Sequence, residues 1–295
     1  MKDYKKRWGD RRDARWVREA PGLQTVMINI LPNRTDNEAY LNEEIDITEI
    51  VKFIEKKNEE HPEYKTTVFH ALIFAIAKML CERPKMNYFI QGRRMYERDV
   101  ISVGFVSKRK FADYSEEALM YFIPKDDDTL DTLSRRIGGE VAESKKHDTA
   151  TGGIDTWINI FAKIPRLLSM FVFKIIRALD FWDLMPEELM KGDPNFASCF
   201  LSNLGSVKCN AVYHHLSNYG TNSFFVTMGM YRDVEKVMPD GTKQMRKVMN
   251  IGAIVDERIA DGFYFARSLN LIKYLFENPE KLEETVSTPS GFEYK

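Results

Sequence analysis

Histidine and cysteine are scarce in this chain, at five and three among 295 residues. Cys81, Cys199 and Cys209 form no Cys-x-x-Cys pair and leave one thiol over. They fit reduced thiols in a cytoplasmic protein better than a disulfide scaffold. The sequence has no HExxH, no P-loop and no GxGxxG after a strand, so metal and nucleotide chemistry find no support. It also lacks the G-x-S-x-G elbow of a Ser–His–Asp hydrolase. No run of about 20 apolar residues is present, which argues against a spanning helix. The charged start carries no signal-peptide-like apolar stretch. With 43 basic against 44 acidic residues, the whole-chain charge points to no nucleic-acid partner.

What is present suffices for folding: 44% of the residues are hydrophobic, enough for one large core or two modest ones. No Pro/Gly/Ser linker and no internal repeat divides the chain, so a single mixed α/β domain over 23–285 is expected. Residues 1–22 form a basic arm, with Lys2, Lys5, Lys6, Arg7, Arg11, Arg12, Arg15 and Arg18 among four acids. Such an arm either touches a membrane surface or RNA, or lies on an acidic surface of its own protein. Residues 286–295 are expected as a C-terminal tail.

Leu23 to Leu31 is an apolar run of undetermined type. Alternation over 39–47 predicts a strand, followed by a helix from about Glu49 to Asn58 that Thr48 could cap. Thr67 to Arg83 is apolar almost all round, the pattern of a central core helix. Short strands are expected over 87–90, 94–96, 101–106 and 119–123, with a helix over 129–143. Longer strands follow over 196–203, 223–231 and 248–255, with a turn at Met238-Pro239-Asp240-Gly241. A last helix spans 263–278. The segment 157–190 stands apart as an apolar helical insertion with a narrow basic edge at Arg166, Lys174 and Arg177. Three roles stay open for it: a lid over an acyl chain, a subunit contact, or a helix in a membrane interface through 164–185.

Five stretches, in order, carry a family resemblance. They are Ile45-Asp46-Ile47-Thr48, Glu82-Arg83-Pro84-Lys85-Met86-Asn87, Leu201-Ser202-Asn203-Leu204-Gly205, Phe224-Phe225-Val226-Thr227-Met228-Gly229, and Asp256-Glu257-Arg258-Ile259-Ala260-Asp261-Gly262. Together they resemble the chloramphenicol acetyltransferase-like superfamily, including the catalytic domains of dihydrolipoyl acyltransferases of 2-oxo-acid dehydrogenase complexes. The resemblance implies a mixed sheet flanked by helices, a homotrimer, and active-site channels shared by neighbouring subunits. It also implies coenzyme A or acyl-CoA as co-substrate, no metal, and a small-molecule acyl acceptor. No lipoyl or peripheral-subunit-binding segment is seen before residue 40, so a stand-alone enzyme is expected.

The family loop reads Asp-His-Arg-x-x-Asp-Gly, and its histidine takes the acceptor's proton while a serine stabilises the tetrahedral oxyanion. Carried over by position, the histidine falls on Glu257, the serine on Ser202, and the loop-shaping aspartate and glycine on Asp261 and Gly262. A buried aspartate at 261 would need a cation that the sequence does not name. A glutamate near pKa ~4.3 facing a thiol near ~8.5 makes proton transfer uphill by on the order of 6 kcal/mol. Desolvation by ~3–5 pKa units would close most of that gap. Otherwise the loop has kept its fold and lost its chemistry, leaving a module that binds an acylated ligand or a protein partner. His214 and His215, between the serine strand and the next, are candidates for a relocated base.

Overall fold

The computed structural model describes residues 5–108, 117–146, 161 and 163–294. Residues 157–160 and 162 of the apolar insertion and Met1–Tyr4 of the basic arm lie outside the described residues, as do residues 147–156 of the loop expected over 144–156, whose first three residues continue α4 (Leu130–Lys146). Among the described residues, nine strands form two sheets. β1 (Ala14–Trp16), β4 (Arg94–Arg98) and β3 (Tyr88–Gln91) make a small antiparallel sheet in the order β1-β4-β3. The main sheet has the order β2-β9-β8-β7-β5-β6. Its strands are β2 (Glu38–Asp46), β5 (Val103–Lys108), β6 (Glu117–Phe122), β7 (Cys199–Asn203), β8 (Phe224–Val237) and β9 (Lys243–Asp256). Within it β5, β7 and β8 run parallel and the remaining neighbours antiparallel.

Helices cover one face of the main sheet. α2 (Thr48–Glu60), α3 (Val68–Glu82), α4 (Leu130–Lys146) and α7 (Gly262–Glu277) pack against one another there. The expected core helix is α3, with every residue from Ala71 to Leu80 buried. Thr67 starts it by accepting a 3.3 Å bond from His70 N–H. At α2 the cap differs from expectation. Asp46, not Thr48, accepts from both the Thr48 amide (3.0 Å) and its hydroxyl (2.7 Å). The carboxylate precedes the helix on β2 and so reaches the free first-turn amides.

Several segments do more than their composition announces. Leu23 to Leu31 resolves as helix α1 (Gly22–Ile30), with Leu23, Val26 and Ile30 exposed. The basic arm takes part in the fold through β1 and through Arg11, whose buried side chain meets Asp13 (3.0 Å), Asp183 (3.5 Å) and Asp180 (3.7 Å). The tail returns over the end of α3, where Ser290 N–H and Tyr294 Oη donate to Glu82 at 2.6 and 3.2 Å. β8 and β9 each run for 14 residues, longer than expected. Their outer halves are held by the backbone ladder and by ion pairs such as Lys243–Glu235 (2.8 Å) and Lys247–Asp233 (2.9 Å), not by an apolar run.

The apolar insertion contains α5 (Arg166–Phe181), followed by the short α6 (Glu187–Met190). In α5 only Ile176 and Asp180 are buried. Leu167 is 82% exposed and Trp182, just beyond the helix, 70%.

Candidate active site

The turn after β9 is fixed from beneath by a buried charge network. Asp256 is 0% exposed and accepts two bonds from the Arg258 side chain, Nε to Oδ1 at 2.8 Å and Nη2 to Oδ2 at 2.6 Å. Arg258 Nη1 also donates to the carbonyls of Leu31 and Pro32, both at 3.0 Å. Arg34 approaches the other side of Asp256 at 3.8 Å. Burial pulls the Arg34 pKa down to about 10, against the opposing pull of Asp256. Two backbone bonds tie the turn to the rest of the fold: Asp256 N–H to Ser223 O and Glu257 N–H to Asn37 O, both 2.9 Å. Glu257 itself is exposed.

Asp261 departs from expectation. It is exposed and caps α7, accepting from Tyr264 N–H at 2.8 Å. The first helical amides, unpaired within the helix, satisfy its carboxylate. The buried aspartate of the loop that needs a cation is Asp256, and its cations are Arg258 and Arg34.

Ser202 is half-buried in β7 and its hydroxyl has no hydrogen-bond partner among the described residues. It is aligned with Thr227 in β8, and Thr227 with Gly252 in β9. Glu257 lies five residues farther along β9, about 16 Å at ~3.3 Å per residue. Within one chain, Ser202 and Glu257 are therefore separated along the sheet, two strands apart, and are not brought together.

The two histidines lie on the sheet face opposite the helices, on a segment laid along it. Met230 N–H donates to Cys209 O at 2.9 Å, and the Thr227 hydroxyl donates to Val212 O. The His214 ring stacks on Phe225 with centroids 4.3 Å apart, and on His215 at 4.6 Å. Leu216 N–H then donates to the carboxylate of Glu38, the β2 residue aligned with Asp256. The segment thus runs from the Ser202 row to the Glu257 end. Both histidines are exposed. His214 Nδ1 lies 2.8 Å from the His215 carbonyl, which can only accept, so Nδ1 carries the proton and Nε2 keeps the lone pair in the neutral ring.

Sequence reasoning missed Arg34 and Glu38. Neither lies near the 256–262 turn in sequence; β2 pairing and the short turn before it bring both there.

Residues 185–283 match the family model described as 2-oxoacid dehydrogenases acyltransferase (catalytic domain). No curated protein matches the sequence. Among solved structures, the chain is similar to a dihydrolipoamide acetyltransferase (E2p) of Azotobacter vinelandii studied for the role of a serine, a histidine and an asparagine in its catalytic mechanism. That similarity has 16% identity, covers 90% of this chain and 93% of that one, and has a TM-score of 0.59. A probable dihydrolipoamide acetyltransferase of Listeria monocytogenes is 16% identical, with 86% and 92% coverage and a TM-score of 0.57. A truncated catalytic core of the 2-oxoacid dehydrogenase multienzyme complex of Thermoplasma acidophilum is 16% identical, with 90% and 99% coverage and a TM-score of 0.54. The mixed sheet, its flanking helices and the matched segment agree: this chain has the acyltransferase catalytic-domain fold of the dihydrolipoamide acetyltransferase cores, and its residues 185–283 match that family's catalytic-domain model.

Proposed function

We propose that the protein is a stand-alone, coenzyme-A-dependent acyltransferase acting on a small thiol, hydroxyl or amine, with Glu257 in the place of the family's histidine. The observation that carries this reading is the turn itself. Asp256, Arg258 and the Asp261 cap hold position 257 outward on a fixed backbone, as a residue serving a channel between two copies must be held. Ser202, with a hydroxyl free to donate, lies about 16 Å along the same sheet at ~3.3 Å per residue, out of reach within one chain, so one copy would present Glu257 to the Ser202 of the next in a homotrimer.

In this mechanism the acceptor's proton passes to a Glu257 carboxylate oxygen as the acceptor atom attacks the thioester carbonyl. Ser202 Oγ–H donates to the resulting oxyanion. Collapse of the tetrahedral adduct breaks the carbon–sulfur bond, and the coenzyme A thiolate recovers the proton from Glu257. The adjoining copy has to supply the desolvation that raises Glu257 toward the acceptor. Three cysteines without a disulfide are in keeping with a cytoplasmic protein.

A second reading, a trimeric module that binds an acylated ligand or a partner without catalysis, is favoured by the exposure of Glu257. Melting with acetyl-CoA, followed by thiol release on adding acceptors, separates the two. Ligand bound only by the folded chain raises the melting temperature. Acceptor-dependent release supports the enzyme; a shift without release, with release appearing in Glu257→His, supports the silent module. Loss of release in His214→Ala or His215→Ala would move the base to that residue.

The reading also gives α5 a peripheral contact with an anionic membrane. Lys163, Arg166, Lys174 and Arg177 flank its exposed apolar side chains, and no exposed acid lies between 163 and 182.

A further inference from the structure

Of the 16 residues of α5, only Ile176 and Asp180 are buried. Ile176 belongs to a small apolar cluster with Met185 and Phe196, separate from the main core. Asp180, at the C-terminal end of the helix, is held by polar contacts. Gln91 Nε2, at the end of β3, donates to its Oδ2 at 2.7 Å, and Arg11 Nη1 of the arm donates to its carbonyl at 3.2 Å. The arm also grips the chain leaving the helix. Arg12 N–H donates to Asp183 Oδ2 at 3.1 Å, and the Arg12 side chain donates to Met185 O and lies 3.9 Å from Glu187. The other side of this clasp is the turn after β3, where a Cβ on Gly92 would fall 2.5 Å from Phe181 O.

The charges inside the clasp do not balance. Arg11 is buried and faces three carboxylates, Asp13 at 3.0 Å, Asp183 at 3.5 Å and Asp180 at 3.7 Å. Its Nε is hydrogen-bonded to Asp13. Its Nη2 lies between Asp180 Oδ1 and Asp183 Oδ1, and none of these three atoms has a hydrogen-bond partner among the described residues. Arg34 also attracts Asp180 but is shared with Asp256. Tyr219, hydrogen-bonded to Asp193, faces Asp180 from a further side. Three carboxylates around one guanidinium leave a surplus of negative charge out of water, and like charges so placed resist joint ionisation. Burial, with Asp13 and Asp183 adding to it, raises Asp180 to about 6 against the pull of Arg11 and Arg34. Burial raises Asp183 as well.

We propose that α5 is a flap latched at its C-terminal end by the N-terminal arm, closed while Asp180 holds a proton beside Arg11 and loosened when that proton leaves to solvent. Opening frees the end of the helix and parts Ile176 from Met185 and Phe196. The sign follows from linkage: the closed state binds the proton more tightly than the open one, so closure is strongest below about pH 4 and is lost as pH rises to about 6. The latch is independent of the acyl-transfer reading and of what the outer face of α5 touches.

Hydrogen–deuterium exchange of the full chain at pH 5 and pH 7.5, corrected for intrinsic rates, tests it. With Asp180 near 6 when closed and in the ordinary carboxylate range when open, protection of the α5 amides should fall about tenfold between the two pH values. A local opening also requires α5 to be at least about tenfold less protected than α3 at pH 7.5. Asp180→Asn, uncharged throughout, should remove the pH dependence. Asp183→Asn leaves Asp180 and its bonds in place and suits the left-handed backbone at 183, where φ is 57°. By deleting one like charge it should move the loss of protection to lower pH. Protection of α5 that is equal at pH 5 and 7.5, a pH dependence unaltered in both variants, or equal protection of α5 and α3 overturns the latch.

Discussion

Replacing Arg258 by Met removes the cation from beneath the 256–262 turn while keeping an unbranched side chain. Arg258 is 1% exposed and Asp256 0%, so the carboxylate left behind has no route to water. Breaking a buried pair by deleting one partner costs about 3–5 kcal/mol. Arg34, at 3.8 Å from Asp256, recovers part of this, but the Leu31 and Pro32 carbonyls also lose their 3.0 Å bonds. A loss of about 3 kcal/mol is therefore expected, or roughly 6–12 °C in melting temperature at ~2–4 °C per kcal/mol. Urea unfolding followed by tryptophan fluorescence, at unchanged m, measures it. Asp256→Asn in the same chain removes the stranded charge and should recover about 1 kcal/mol or more, a coupling that a double-mutant cycle reads directly. A loss in Arg258→Met below about 1 kcal/mol would refute the reasoning, because Asp256 would then be satisfied without its bidentate partner.

Burial is the main cause raising the Asp180 pKa to about 6, opposed by Arg11 and Arg34. The folded state holds this proton more tightly than the unfolded chain, so its contribution is complete below about pH 4 and is lost as pH rises to about 6. The loss is at most about 3 kcal/mol. Relative to Asp180→Asn, the wild type should thus lose urea resistance across that window; a constant difference would contradict the assignment. Gly252→Ala would place a Cβ 2.7 Å from Thr227 Oγ1 and 2.8 Å from Val212 O, displacing the segment that carries His214. A cost of about 1–3 kcal/mol is expected in the same unfolding assay, and a neutral result would mean that the segment gives way freely. For α5, the wild type should co-sediment with phosphatidylglycerol vesicles and be released by salt, while Leu168→Asp should not bind. No binding by the wild type would remove the membrane role.

The parts of the fold legible in the sequence are those where burial follows a period. Leu269, Ile272 and Leu275 mark α7, because one side of it must be apolar, whereas α3 is marked by being apolar almost all round, as a helix buried on every side must be. The outer halves of β8 and β9 were hidden, since Asp233, Glu235, Lys243 and Lys247 stabilise them through cross-strand pairs on an exposed ribbon. Leu23 to Leu31 gave no type because its apolar residues are largely unburied. At the site, the turn could be located from Asp256 to Gly262, but its charge partners could not be assigned. Asp261 takes the surface cap and Asp256 the buried pair, a division set by which carboxylate the β2–β9 ladder encloses. Arg34 and Glu38 act through strand register, which no local spacing announces.

The most direct test of the central claim is thiol release from acetyl-CoA, with a small thiol or amine acceptor, by the wild type and Glu257→Gln side by side. A general base contributes about 10²–10⁴-fold, so the account predicts acceptor-dependent release by the wild type and a fall of at least about a hundredfold in the variant. Equal release by the two proteins would contradict it.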